Sequence, residues 1–109
     1  AIIGDDYIIK SNKESGEGRY DIMLIPYDKS NYGIVMELKE IRKQKESESQ
    51  EDFIERINNN LENALNQINQ NKYYKELIAN RIAEDQIIKV PVIFAGKEPY
   101  ITRQTIIKE

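Results

Sequence analysis

Two acidic residues and one lysine in neighbouring strand-like segments are the side chains best suited to chemistry. A polar loop joins the two segments; Asp21 precedes it, and Glu37 and Lys39 follow it. With the loop centred near Lys29, Asp21 and Glu37 face each other in an antiparallel pair, their Cβ atoms roughly 4.5–5.5 Å apart. Lys39 lies two residues beyond Glu37 and therefore projects from the same face. The spacing predicts two carboxylates and an ammonium group at one place on a sheet.

Two carboxylates in this arrangement predict a site for a hard divalent cation. Like charges directly opposite each other are destabilising, and buried charges need a partner or a metal ion. Mg²⁺ prefers oxygen ligands and is held by one or two carboxylates together with several waters. A metal-bound water beside Lys39 is suited to hydrolysing a phosphodiester. The prediction depends on the register, because a shift by one residue would move Asp21 to the opposite face.

The composition narrows the chemistry further. The 109 residues contain no His, no Cys and no Trp. This excludes Ser-His-Asp and Cys-His nucleophile systems, zinc sites built on thiolate or imidazole, and disulfide frameworks. What remains is chemistry based on carboxylates, Lys, Tyr, hydroxyls or a hard metal held by oxygen ligands.

The charge distribution leaves a nucleic-acid partner open. The chain has 16 basic and 19 acidic residues, a net charge of −3, whereas proteins that bind nucleic acid through bulk charge are usually basic. The acidic excess is concentrated in residues 46–62, which are most simply a solvated helix face. Arg42, Lys43 and Lys45 directly follow the second strand-like segment. They are candidates for binding nucleic-acid phosphates, the alternative being a solvated loop.

Apolar periodicity predicts a single α/β (α+β) domain with the order β-β-β-α-α-β and a last short strand. The predicted strands are residues 7–10, 19–25, 33–39, 87–95 and 100–107, with a polar turn at 11–18. The predicted helices run from 47 to about 70 and from 73 to 83. Both alternating sets of the second and third strands are mostly apolar, which favours central strands covered on both faces. Pro91 favours an edge position or a bulge for its strand.

The predicted helices should pack through apolar stripes whose members recur at steps of three or four residues. The stripe of the longer helix is Ile54, Ile57, Leu61, Leu65 and Ile68, and that of the shorter helix is Leu77, Ile78 and Ile82. Ser47, Ser49 and Asp52 are the N-cap candidates of the longer helix.

These segments, in their order, resemble the PD-(D/E)XK nuclease superfamily, and in particular the bacterial domains often found behind an AAA-ATPase-like domain. The stretch SNKESGEGRYDIMLIP at 11–26, followed by GIVMELK at 33–39, resembles the signature of that branch. ALNQI at 64–68 with Tyr73 resembles its helical Gln-Ile…Tyr motif, and IFAGK at 93–97 is similar to its late strand. The resemblance spans nearly the whole chain.

The resemblance implies a restriction-endonuclease-like αβββαβ core with a central mixed sheet and a metal-dependent nuclease activity. Asp21 and Glu37 would be ligands of Mg²⁺ or Mn²⁺, and Lys39 would orient or activate the attacking water. Gln67 would approach the same pocket from the long helix as a further catalytic residue. Tyr73 would support Gln67 or contact the phosphate backbone.

One departure from the family concerns its first helix, which in many members supplies an additional Glu. That helix would lie mostly before residue 1, with residues 1–4 as its end. The chain 1–109 is therefore expected to be a single nuclease-like domain and a fragment of a longer protein. The sequence leaves open whether Glu14 or Glu17 replaces the missing carboxylate.

Three functions compete. The first is a Mg²⁺-dependent endonuclease acting on nucleic acid, DNA rather than RNA. The second is a catalytically inactive PD-(D/E)XK-like module that binds nucleic acid or a protein partner within a larger ATPase or toxin-like protein. The third is a plain interaction domain whose charged trio is structural. The intact trio favours the enzyme, whereas the acidic balance and the missing helix favour the binding module.

The expected setting is the cytoplasm. No apolar run approaches the roughly 18 residues of a membrane span, and no signal-peptide pattern opens the chain. The expected partners are nucleic acid and an AAA-ATPase-like domain of the same protein. A homodimer would suit the cutting of two strands.

Overall fold

The computed structural model describes residues 6–14, 19–71 and 74–101. These residues form five strands, two α-helices and one turn of 3₁₀-helix. In chain order they are β1 (Tyr7–Glu14), β2 (Arg19–Pro26), β3 (Gly33–Ile41), α1 (Gln50–Asn71), α2 (Lys75–Ala79), the 3₁₀ turn (Glu84–Gln86), β4 (Ile87–Ala95) and β5 (Glu98–Ile101).

The strands form one mixed sheet in the order β1-β2-β3-β4-β5. Neighbouring strands are antiparallel except β3 and β4, which run parallel. A parallel pair needs a crossover connection, and both helices lie in the connection between these two strands. The mixed sheet and the order of elements confirm the predicted fold class and are consistent with a restriction-endonuclease-like core.

The hairpin of β2 and β3 has the predicted register, with Asp21 paired with Glu37. Its loop is held by Asp28, whose Oδ1 accepts hydrogen bonds from the backbone N–H and the hydroxyl of Ser30, at 3.0 and 2.7 Å. The bond from the backbone N–H, followed by the bond from the hydroxyl, lowers the pKa of Asp28. Since the loop fixes the register, it also fixes which side chains share a face.

The other strands differ from prediction at their ends. β1 extends to Glu14 because it pairs with β2 along its whole length, so the predicted turn is wrong for residues 11–14. β5 begins at Glu98, directly after a turn in which Gly96 has a positive φ of 64°. Residues 15–18 and 102–107 of the predicted turn and last strand lie outside the described residues.

Pro91 lies in an unbroken stretch of β4. Its pairing with β3 runs without a bulge from Ile87 to Ala95. Among the described residues, β5 pairs with β4 only from Val92 onward. At Pro91, β4 therefore pairs with β3 alone among the described strands. β4 as a whole is not the edge strand of the sheet, because β5 pairs with its second half.

Helix α1 begins at a Ser49 cap, where the Oγ atom accepts a hydrogen bond from the backbone N–H of Asp52 at 3.0 Å. Its buried stripe is Phe53, Ile57, Leu61, Ala64 and Ile68. The predicted stripe was wrong at Ile54, which is 48 % exposed. Phe53 takes that place in the stripe, and its ring packs edge-on against Tyr100, with centroids 5.9 Å apart. Leu65, also in the predicted stripe, is only half-buried.

Helix α2 is shorter than the predicted stretch 73–83. It ends at Ala79, after which Arg81 adopts a left-handed conformation with φ of 71°. Leu77 and Ile82 are buried as predicted, whereas Ile78 is 37 % exposed. Gly33 allows this close packing, since a Cβ at that position would lie 2.9 Å from Cδ2 of Leu77.

Two apolar clusters form between the sheet and the helices. The first joins Met23, Ile25, Val35, Ile68, Leu77, Ile82 and Ile87. The second joins Phe53, Ile57, Leu61, Ala64, Ile93 and Ala95. Within the described part of the chain both helices pack on this one face of the sheet. On the opposite face Leu24 of β2 and Leu38 of β3 are also buried, as expected for strands covered on both faces.

Candidate active site

Asp21 and Glu37 form a carboxylate pair in the middle of the sheet. They are direct cross-strand partners on the face that carries the helices. Asp21 is 3 % exposed and Glu37 is fully buried. Oδ2 of Asp21 and both carboxylate oxygens of Glu37 are inaccessible to solvent. The structure thus brings together, in a buried place, the two carboxylates predicted to share a site.

Local sequence accounts for this placement. In both strands the carboxylate alternates with apolar residues of the same face, Met23 in β2 and Val35 in β3, which belong to the first apolar cluster. Lys39 lies two residues beyond Glu37, so it shares that face and pairs with Arg19 across the hairpin. Lys39 is half-buried at the edge of the carboxylate pair.

The electrostatics of the pair favour a bound cation. Two carboxylates in direct register repel each other, and burial removes the water that would screen them. Within the described residues no group of three or more His, Cys, Asp or Glu could hold a metal ion. The donors that the described residues offer here are the two carboxylates, and these fit Mg²⁺ or Mn²⁺ because such ions keep several waters and are also bound by substrate phosphate oxygens.

A cleft of about 270 Å³ opens between Lys39 and the second half of α1. Its other lining residues are Asn63, Ala64, Asn66, Gln67 and Gln70. Gln67 therefore lies beside Lys39, as the long-helix residue was expected to. Tyr73 lies outside the described residues, as does Glu17. The backbone of Glu14 pairs with Arg19, in the row of the sheet that also contains Lys39.

The basic residues predicted to contact nucleic acid lie in the connection from β3 to α1, outside the cleft lining. Nη1 of Arg42 is 3.3 Å from Oε1 of Glu48. Arg56 donates to both carboxylate oxygens of Glu48, at 2.9 and 3.0 Å, and to the backbone carbonyl of Arg42 at 3.0 Å. The side-chain bond from Arg56 lowers the pKa of Glu48 to about 2. Arg42 is thus held beside a carboxylate, whereas Lys43 and Lys45 are exposed.

Sequence reasoning missed three of the amides that line the cleft. Asn63, Asn66 and Gln70 recur at steps of three and four residues, which places them on one side of α1. That recurrence was visible in the sequence, but amides are common in this chain and none belongs to the motif that identified Gln67.

Lys89 was also missed. It lies in β4, half-buried, with Nζ 4.6 Å from the ring centroid of Tyr74 and hydrogen-bonded to Asn69 Oδ1. Burial lowers the pKa of Lys89. A single lysine inside the apolar run IIKVPVIFA was the available signal. Its contacts join β4 to the end of α1 rather than to the carboxylate pair.

Comparison with known proteins gives one match. A sequence model described as the PD-(D/E)XK nuclease superfamily matches residues 2–104. No curated protein and no solved structure matches the chain significantly. None of the helices that the structure describes is long and apolar enough to cross a membrane. The match covers almost all of the residues that form the sheet, the carboxylate pair and the cleft, and the chain therefore belongs to the PD-(D/E)XK nuclease superfamily.

Proposed function

We propose that this domain is a metal-dependent nuclease that hydrolyses phosphodiester bonds of DNA. Membership of the superfamily supports a nuclease-type function in general. The observation that carries the finer proposal is the direct pairing of buried Asp21 with buried Glu37, next to Lys39 at the mouth of a cleft. Two carboxylates in this position are costly for a purely structural role but suited to a site for Mg²⁺ or Mn²⁺.

Each residue of the site then has a distinct task. Asp21 and Glu37 would hold the ion, which when bound supplies an activated water and offsets phosphate charge. Lys39 orients the attacking water and stabilises the negative charge that develops on the phosphate oxygens. Gln67 positions water or phosphate from the helix side of the cleft. Hydrolysis adds the water oxygen to phosphorus, breaks one P–O ester bond and leaves a proton on the departing oxygen.

Contacts to the rest of the nucleic acid would come from outside the cleft. Lys43 and Lys45 are exposed just beyond the strand that carries Lys39, and they would neutralise backbone phosphates. Arg42 would contribute less, because Glu48 lies beside it. Tyr73 is proposed to support Gln67 or to contact the phosphate backbone.

The wider setting is also a proposal. The resemblance of residues 11–26 and 33–39 to domains that follow an AAA-ATPase-like domain supports such a companion in the same full-length protein. A DNA substrate and an AAA-ATPase-like companion domain would both suit a cytoplasmic location. A homodimer would give two sites for the two strands of a duplex.

A cleavage assay tests the proposal. The protein, extended by its upstream residues where these exist, is incubated with single- and double-stranded DNA in Mg²⁺, Mn²⁺ or EDTA. We expect metal-dependent cleavage, reduced by ~100-fold or more in Asp21→Asn, Glu37→Gln and Lys39→Met. Glu40→Gln is the matched control, because Glu40 lies in the same strand but is exposed on the opposite face.

Three results would contradict the proposal. Cleavage that persists in EDTA, or that falls equally in Glu40→Gln, would show that the carboxylate pair is not the metal site. Absence of cleavage of any nucleic acid by a well-folded protein would favour the inactive binding module.

A further inference from the structure

The helix side of the cleft is a wall of side-chain amides. Asn63, Asn66, Gln67 and Gln70 line it together with Ala64, and Lys39 faces them from the sheet. Asn66 and Gln70 are exposed within the cleft mouth, so their amide groups are accessible to a ligand. Four amides in one small cleft give a surface rich in both hydrogen-bond donors and acceptors.

The acidic residues of α1 border this wall without lining the cleft. Glu51, Glu55 and Glu62 are exposed and recur at steps of four and seven residues, which places them on one stripe of the helix. Asn66, four residues after Glu62, lies at the edge of that stripe, whereas Asn63 is turned by about 100° from it. The described helix residues that line the cleft are amides and one alanine, although α1 belongs to the most acidic part of the chain.

An uncharged amide wall is suited to bases rather than to phosphates. Asn and Gln can contact phosphates, but unlike Lys and Arg they carry no charge to neutralise one, and they also pair with base edges through one donor and one acceptor. Among the described residues of the lining Lys39 is the one cation, and it lies beside the carboxylate pair. The cleft therefore combines a place for one phosphate with a neutral surface that can hydrogen-bond a base.

We propose that Asn63, Asn66 and Gln70 form a subsite for an unpaired nucleotide whose phosphate lies at Lys39; this rests on the proposed nuclease function. The volume of about 270 Å³ is close to the lower end of the ~300–1,000 Å³ of typical small-molecule sites, which suits the cleft to a single nucleotide. A base that enters the cleft beside Lys39 must leave its partner base, as a flipped or single-stranded base does. The preferred substrate is thus a single strand or a frayed end.

The test is equilibrium binding of fluorescent oligonucleotides, measured by anisotropy in EDTA so that cleavage does not interfere. One strand and the duplex of the same sequence are compared at several salt concentrations. The double variant Asn66→Ala/Gln70→Ala is compared with Asn58→Ala/Gln50→Ala, which changes the same residue types in α1 at positions outside the cleft. Thermal unfolding of both variants establishes that each is folded.

We expect the wild type to bind the single strand more tightly than the duplex. The cleft variant should weaken single-strand binding roughly tenfold, as two lost hydrogen bonds predict. Because amides displace no counterions, its slope of log affinity against log salt should equal that of the wild type. The control variant should bind like the wild type.

The proposal is overturned if the wild type binds the duplex as tightly as the single strand, or binds neither. It is also overturned if the cleft and control variants bind the single strand with equal affinity, or if the cleft variant has a smaller salt slope than the wild type. If one of these results is found but the protein still cleaves DNA with Mg²⁺, the proposed function stands and only the subsite is contradicted. If the expected binding is found without cleavage, the nuclease function is contradicted and the subsite stands as a binding site.

Discussion

Glu37 is fully buried directly opposite Asp21, so an ion held by both carboxylates would bind the folded protein and not the unfolded chain. Glu37→Gln keeps the shape of the side chain and removes one of the two proposed ligands. Mn²⁺ should stabilise the wild type, by about 2.7 kcal/mol at a hundredfold excess over its Kd, but not the variant. Urea unfolding with and without Mn²⁺ measures the effect in both proteins.

The control for this prediction is Glu40→Gln, which removes an exposed carboxylate and should change stability by less than about 0.5 kcal/mol under either condition. Stabilisation of Glu37→Gln by Mn²⁺ as strong as that of the wild type would mean that Glu37 is not a ligand of the ion.

At the residue scale, the sequence was informative wherever a motif and a register agreed. Asp21, Glu37 and Lys39 could be placed on one face of the sheet from the sequence. A loop centred on Lys29 makes Asp21 the partner of Glu37, and side chains two residues apart in a strand share a face. Gln67 could be identified because ALNQI at 64–68 resembles the family's helical motif. The amides of the cleft wall could not be singled out, because a polar residue on an amphipathic helix has no signature until the element facing it is known.

The connection from β3 to α1 is held by the ion pair of Glu48 with Arg56, and this element should carry part of the pH dependence of stability. The folded protein lowers the pKa of Glu48 from 4.5 to about 2, so the unfolded chain takes up this proton more readily. The contribution is therefore fully present above pH 4.5 and is lost as the pH falls from there towards 2.

We expect the urea midpoint of the wild type to fall more steeply between pH 5 and 3 than that of Glu48→Gln. Asp28, whose pKa is also lowered, contributes to the fall in both proteins and cancels in the comparison. Parallel curves for the two proteins would show that the contact of Arg56 with Glu48 does not couple to folding.

At the element scale, the positions of strands and helices were predictable from periodicity. The errors arose where tertiary contacts or the backbone conformation determine the end of an element or the members of its buried stripe. Strand β1 continues through a polar stretch because β2 offers it a partner as far as Glu14. Helix α2 stops early because the chain turns at Arg81, a conformation that no composition signal announces. The exchange of Ile54 for Phe53 in the α1 stripe depends on Tyr100, which is remote in sequence.

At the scale of the whole molecule, the topology divides the fold into local and distant contacts. Strands β1 to β3 form two successive hairpins, whereas the parallel pairing of β3 with β4 spans residues 42–86. Closing a long connection costs more entropy than closing a short one, so contacts of high sequence separation tend to form late. We expect Val35→Ala in the hairpin to slow folding, and Ile93→Val in β4 mainly to speed unfolding.

Stopped-flow chevron plots measure these effects, with φ-values high for Val35→Ala and near zero for Ile93→Val. The reverse order of φ-values would show that the crossover, not the hairpin, nucleates the fold.

This order of events has a consequence for the carboxylate pair. Both acidic residues belong to the hairpin, so they meet while water still surrounds them and their repulsion is small. The repulsion grows when α1 docks and removes that water. A divalent cation that is already held by the hairpin would lower the barrier to docking, so the ion proposed for catalysis would also act during assembly of the domain, as an accelerator of the last step.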